Sequence, residues 1–237
     1  MCYSNSSTST NVSLGKKFNR PVDHLPDTTP LHFVSGFHFP KWRIVTQEAI
    51  EIMQWGLIPR WFKDVDWKSI ASKTLNARIE TLAEKPSFKH LIASQRCIVP
   101  SNGFFEWQTR GKEKIPYFIA PKDEELFCMA GLFDQWTAPA TGETMRSFTI
   151  LTTEANELMA EIHNEKKRMP YVLKPEDCLN YLENSHLPIN FSDFPVILEE
   201  EMHAHRIDKK LLLSENANQE AVKAIFVDNI GEQSSLF

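Results

Sequence analysis

With 237 residues, 42% of them hydrophobic and 24% charged, the chain has the composition of a globular protein large enough to bury a substantial core. No run approaches the roughly 20 apolar residues of a membrane-spanning helix, and the opening Met-Cys-Tyr-Ser-Asn lacks the basic-then-apolar pattern of a secretory signal, so a cytoplasmic protein is expected. The net charge of −5 argues against a uniformly basic nucleic-acid binder, yet residues 41–115 carry 13 Lys/Arg against 8 Asp/Glu while residues 176–237 carry 4 against 12, so one basic face remains compatible with the sequence.

In chain order, Cys2 stands in a polar leader that offers it no core to join. Strand-like runs follow at 31–37, 50–58, 97–107, 116–120, 126–136, 148–152 and 170–173, bounded by Pro, Gly or charged clusters. Helical patterns occupy 86–94, 154–162 (after a Thr-Thr-Glu opening that suits a cap) and 175–182, where Pro-Glu-Asp makes a good first turn. Helices that interrupt strands without regular alternation predict an α+β single domain with a mainly antiparallel sheet. That domain is expected over 2–210, with a loosely attached polar extension over 211–237.

The four cysteines, at 2, 97, 128 and 178, form no CxxC pair, and disulfides are not expected. Cys97 and Cys128 read as small buried hydrophobes within apolar runs. Cys2 is different. Aminopeptidase removal of Met1 leaves it with an α-amine, ordinarily titrating near pH ~8, beside a thiol near ~8.5. Such a 1,2-aminothiol condenses with an aldehyde: the amine forms a Schiff base and the sulfur closes a thiazolidine ring.

Three further segments carry candidate chemistry. Trp55, Trp61 and Trp67 lie within 13 residues of one another beside Arg60 and Lys68, a mixture that suits base stacking and phosphate contact. Glu106 sits between Phe105 and Trp107, and a carboxyl in apolar surroundings trades protons nearer neutrality. His163 lies at an expected helix end, before Lys166, Lys167 and Arg168. His203 and His205 have no companion ligands that would make a metal site, and neither a metal nor an organic cofactor is expected.

Five motifs in order resemble the SRAP family (SOS response-associated peptidase, the abasic-site shielding proteins). They are Met1-Cys2, Trp55-Gly-Leu-Ile-Pro-Arg-Trp61, Asn76-Ala-Arg78-Ile-Glu-Thr81, Cys97-Ile-Val-Pro100 with Gly103-Phe-Phe-Glu106-Trp107, and His163 with Arg168-Met-Pro170. The resemblance implies a strand-rich, barrel-like core flanked by a few helices, and a monomer that binds single-stranded DNA carrying abasic sites. It implies Cys2 as the residue joined to DNA, with Asn76, Glu106 and His163 around the linkage. Arg78 would hold a phosphate, and Pro40, Trp61, Trp67, Ser101 and Arg168 would add DNA contacts. Self-removal of Met1 would account for the peptidase label, and an unclosed Schiff base would give weak lyase activity.

Two departures stand out. The family commonly continues Cys-Gly-Arg, where this chain has Cys2-Tyr3-Ser4, so an arginine is lost and Tyr3 is offered as a stacking ring instead. Four residues separate His163 from Arg168, where the family often has one. Two other readings fit parts of the sequence. An N-terminal-nucleophile hydrolase of the glutamine amidotransferase type would use Cys2 with an Asn102-Gly103 oxyanion element. A non-covalent single-strand binder would use the tryptophans and arginines alone.

Overall fold

The computed structural model describes residues 2–27, 29–183, 189–212 and 219–223. Its strands are β1 (Ser4–Ser7), β2 (Leu31–Ser35), β3 (Lys41–Val45), β4 (Ile50–Trp55), β5 (Asn76–Arg78), β6 (Arg96–Ser101), β7 (Gly103–Arg110), β8 (Glu113–Pro121), β9 (Phe127–Thr137), β10 (Thr144–Glu154), β11 (Arg168–Pro170), β12 (Val172–Leu173) and β13 (Met202–Arg206). The helices are α1 (Asn11–Phe18), α2 (Lys68–Ala71), α3 (Glu157–Ile162), α4 (Cys178–Glu183) and α5 (Lys209–Leu212). None of the helices among the described residues is long and apolar enough to cross a membrane.

Five strands close on themselves. β10 pairs with β4, β4 with β3, β3 with β6, β6 with β9, and β9 with β10 again. Only the β10–β4 step of this ring is parallel. Closure leaves these strands no free edge. It also makes an interior of alternate side chains from each strand, among them Ile44, Met53, Trp55, Val99, Met129, Phe148 and Ile150, all buried. The second sheet is antiparallel, in the order β13-β8-β7-β1-β2. The expected α+β domain with a mainly antiparallel, barrel-like core is therefore what the chain adopts.

Several boundaries differ from the sequence reading for local reasons. The run at 50–58 stops at Trp55 because Gly56 takes φ +103°, a turn that side-chain-bearing residues rarely adopt. The run at 97–107 is two strands divided at Asn102. Residues 86–94 form successive turns rather than a helix. Pro86 has no N–H to give, and the segment is too short to sustain a helix, so it closes isolated turns and buries Phe88 and Leu91. α3 starts later than its Thr-Thr-Glu signal, because β10 continues through Glu154 and Asn156 makes the cap, accepting from Met159 N at 2.9 Å.

The polar leader is the largest correction. Ser4–Ser7 is a buried strand between β7 and β2, and Cys2 packs in the main core. Small polar side chains are tolerated there because they are bonded: Ser101 Oγ donates to Asn5 Oδ1 at 3.0 Å, and Arg43 Nη2 donates to Ser7 Oγ at 3.1 Å. Trp55 is a core residue as well, stacked on Phe148 and donating its indole N–H to Leu75 O at 2.9 Å, so it is withdrawn from the aromatic surface the sequence suggested. Of the extension expected over 211–237, residues 219–222 form a 3-10 turn whose Ala221 packs with Phe105, Phe118 and Ile207. Residues 213–218 and 224–237 lie outside the described residues.

Candidate active site

Strand β1 delivers Cys2 to a fixed place. Ser4 pairs with Phe105 on one side and with Ser35 on the other. Gly36 N donates to Tyr3 O at 2.7 Å. A Cβ on Gly36 would stand 3.1–3.2 Å from Leu75 and Trp55, so a side chain there would push the β1 approach away.

Asn76 meets Cys2 from the opposite direction. The three-residue strand β5 runs parallel to β10, with Asn76 opposite Ile150. From there Asn76 Nδ2 donates to the Cys2 carbonyl at 3.0 Å. Asn76 Oδ1 is buried and accepts no hydrogen bond among the described residues. It is a ready acceptor beside the N-terminal residue.

The third wall holds Glu106 and His163. Glu106 lies on β7 opposite Tyr117, and its side chain is only 5% exposed. His163 closes α3, its backbone N–H bonded to Met159 O. Its Nδ1 lies 2.8 Å from Arg168 O. A carbonyl only accepts, so Nδ1 carries a proton and Nε2 is the nitrogen turned to Glu106 Oε2, 3.8 Å away. A buried carboxylate and a buried imidazole thus face each other beside Cys2.

The electrostatics tie these walls together. Burial first, and then the Glu106 carboxylate, hold the Cys2 thiol well above its ordinary pKa. Burial and Glu106 also raise the half-buried Tyr3 phenol, while Arg78 pulls it back. Tyr3 is therefore within electrostatic reach of both Glu106 and Arg78. Phe37, half exposed, lies 5.0 Å from the Tyr3 ring. Sequence patterning did not single it out, and its exposure on the 3-10 turn Gly36–His38 that follows β2 appears only once the chain is folded.

The remaining candidates separate into two groups. Arg78 is exposed, Trp61 is 46% exposed with its indole N–H on Pro86 O, and Trp67 is partly buried against Phe39, with Lys68 5.7 Å above its ring. Pro40 is partly exposed and its carbonyl accepts from Trp55 N and Gln54 Nε2. Ser101 and Arg168 are buried. Ser101 Oγ is occupied by Asn5, Ser6 and Gly103. Arg168 makes a bidentate pair with Glu80, at 2.7 and 3.0 Å, and its Nη2 also donates to Thr152 O. Four residues separate His163 from Arg168 without parting them, because the 163–168 turn folds back on itself, bonding Lys167 N to His163 O.

Asn102 is spent elsewhere. Its Oδ1 accepts from Thr8 N and Ser9 N, and its Nδ2 donates to Glu125 O. Those bonds fasten the loop after β1 and leave Asn102 no role as an oxyanion donor toward Cys2. His203 and His205 stack at 5.3 Å on β13, and His205 Nε2 bonds Val222 O. Among the described residues no group of three or more His, Cys, Asp or Glu is arranged to hold a metal ion.

Known proteins share both this sequence and this fold. The chain is 46% identical over 126 residues to the abasic site processing protein YoqW of Bacillus subtilis, a match covering 53% of each chain. It is 30% identical to the abasic site processing protein HMCES of Xenopus tropicalis, over 89% of this chain and 68% of that one. The matched part thus spans about half the length of the Bacillus relative. A crystal structure of a Bacteroides thetaiotaomicron protein superposes with a TM-score of 0.85 at 34% identity, over 94% of this chain and all of the other. A Bordetella bronchiseptica protein at 21% identity shares the fold, with a TM-score of 0.75. The family model for SOS response associated peptidase (SRAP) matches residues 3–212, and the chain belongs to that family.

Proposed function

We propose that the mature chain, beginning at Cys2, captures the ring-opened aldehyde of an abasic site in single-stranded DNA and holds it as a thiazolidine. The observation that carries this reading is the convergence on Cys2 of the Asn76 amide, bonded to its carbonyl, and the Glu106–His163 pair. The names of the relatives, abasic site processing proteins, supply the substrate class.

The chemistry balances without a cofactor. The Cys2 amine adds to C1′ of the aldehyde, and the resulting carbinolamine loses one water to give the Schiff base. The Cys2 sulfur then adds to the same carbon as its proton passes to the nitrogen, so the net change is loss of one water. The Glu106–His163 pair supplies and removes protons during ring opening and dehydration. A raised thiol pKa keeps the sulfur protonated until that base acts, so ring closure is coupled to the site's own proton transfer. Where closure lags, the Schiff base leads instead to β-elimination, and weak strand cleavage results.

Arg78 holds a backbone phosphate at the mouth of the site. Tyr3 and Phe37 provide stacking faces where the family arginine is missing, and Trp61 and Trp67 extend the same aromatic surface. Arg168 acts indirectly, fixing His163 through its carbonyl and Glu80 through its guanidinium. Denaturing electrophoresis after incubation with a single-stranded oligonucleotide containing one abasic site tests the reading. A heat-stable shifted band is expected with abasic DNA, and none with the intact oligonucleotide. Reversible binding alone would favour the non-covalent binder.

A further inference from the structure

A second polar cavity lies at the far end of the barrel. It has a volume of about 370 Å³, and its walls include Ser94, Gln95, Arg96, Phe133 and Arg146. Arg96 opens β6, whose last residue, Ser101, bonds Asn5 beside the Cys2 strand. Six strand residues span about 17–20 Å, so this cavity is remote from the site described above.

Arg96 is the unusual feature. It is 3% exposed, and its Nε and Nη2 are buried without a hydrogen-bond partner. It also makes no ion pair among the described residues, and its guanidinium carbon lies 5.4 Å from the face of the Tyr181 ring. An uncompensated buried guanidinium is costly, and a cation–π contact offsets only part of that cost.

The lining sets two carboxylates, Glu48 and Glu51, against the two guanidiniums of Arg96 and Arg146. Arg146 is paired with Glu51 and lies over the Phe133 ring at 4.7 Å, leaving its own buried Nε without an acceptor. Glu48 stands at the exposed rim, where solvent screens it. Arg96 is the guanidinium left without a carboxylate partner among the described residues. Ser94 and Gln95, a hydroxyl and an amide, line the same cavity and can both donate to an oxyanion. The volume is at the small end of ligand pockets, ~300–1,000 Å³.

We infer that this cavity binds a phosphate group on Arg96, with Ser94 and Gln95 completing its hydrogen bonds. The phosphate comes either from a free phosphate ester or from the backbone of bound DNA.

Thermal unfolding of the full chain in about 10 mM inorganic phosphate, against sodium chloride of equal ionic strength, tests the assignment. A rise in midpoint of about 3–6 °C is expected for a chain of this size when ligand stands at roughly tenfold its dissociation constant. Arg96→Gln removes the rise. Because Arg96 is buried and that variant is at risk of misfolding, Ser94→Asp provides a second test. Ser94 is exposed in a turn, and the new carboxylate occupies the phosphate position. Ser94→Asp is expected to melt no lower than the wild type in chloride and to gain nothing from phosphate. No rise in the wild type, or an equal rise in Ser94→Asp, overturns the proposal. Affinity for an intact single-stranded oligonucleotide separates the two sources. A loss of about fivefold or more in Ser94→Asp assigns the site to a backbone phosphate, and unchanged affinity assigns it to a free phosphate ester.

Discussion

Asn76 and Cys2 are separated by 74 residues in sequence and joined by a single 3.0 Å hydrogen bond from the Asn76 amide to the Cys2 carbonyl. This bond fixes Cys2, whose amine and sulfur the proposed reaction uses, through its carbonyl alone. Asn76→Ala and Asn76→Asp both remove the donor and free the first residue to swing. Cross-linking to abasic DNA should slow by about 10²-fold, the scale on which small misplacements act. Single-turnover gels measure the rate. A change below about twofold in both variants would reduce the bond to a structural detail.

Glu106→Gln should act twice, in opposite directions. Burial is the larger cause of the raised Cys2 thiol and remains, but the carboxylate's contribution is lost, so the thiol pKa falls. Iodoacetamide labelling of Cys2 should therefore begin at lower pH than in the wild type. Cross-link formation should meanwhile slow by about 10²–10⁴-fold, the usual worth of general acid–base assistance. His163→Ala should slow the reaction by a similar factor. A labelling profile that stays put would remove Glu106 from the neighbourhood of the sulfur.

The two arginines of the sequence motifs should behave differently. Arg78 is exposed, and Arg78→Ala should weaken single-strand binding for all sequences alike, flattening the salt dependence by roughly one phosphate contact, a slope of about 0.7. Arg168 is buried on Glu80, and Arg168→Ala should instead lower the melting temperature and disturb His163. A salt slope that flattens equally in both would place Arg168 on the DNA.

Glu80 adds a pH test of the same pair. Partial burial raises its carboxyl, but the hydrogen bonds from Arg168 outweigh that and hold it below its ordinary value of 4.5. A depressed folded-state pKa gives stability that is full above the unfolded value and lost as pH falls through the folded one. Thermal melts of the wild type should therefore lose midpoint in this acid window faster than those of Glu80→Gln. Parallel curves would mean that the pair contributes nothing measurable.

Phe37 and Tyr3 form a pair of rings beside the site, where a family arginine is absent. If Phe37 stacks on a base, Phe37→Ala should cost about 1–3 kcal/mol of single-strand affinity, nearly independent of salt, with little change in melting temperature because the ring is half exposed.

The sequence made the strand content legible because short apolar runs such as 126–136 and 148–152 are bounded by Pro, Gly or charged residues. The site was legible because its residues fall in short motifs around Asn76, Glu106 and His163. What it hid was long-range. Ser4–Ser7 has no apolar pattern, and it becomes a buried strand only because β7 and β2 supply its backbone partners. Arg168, expected to contact DNA, is paired with Glu80, 88 residues away, a partner that no local pattern announces. Trp55 and Trp61 lie six residues apart, yet Trp55, on β4, is in the core and Trp61, beyond that strand, faces solvent.

The central claim is that amine and sulfur of one residue both bond to the abasic carbon. Mass spectrometry of the nuclease-trimmed adduct tests it most directly. The account predicts a peptide beginning at Cys2, heavier by the sugar remnant less one water, with its thiol closed to alkylation. Cys2→Ser, which keeps the amine but not the sulfur, should give only a labile species. A heat-stable adduct on protein that retains Met1, or one whose Cys2 thiol still alkylates, would contradict the account.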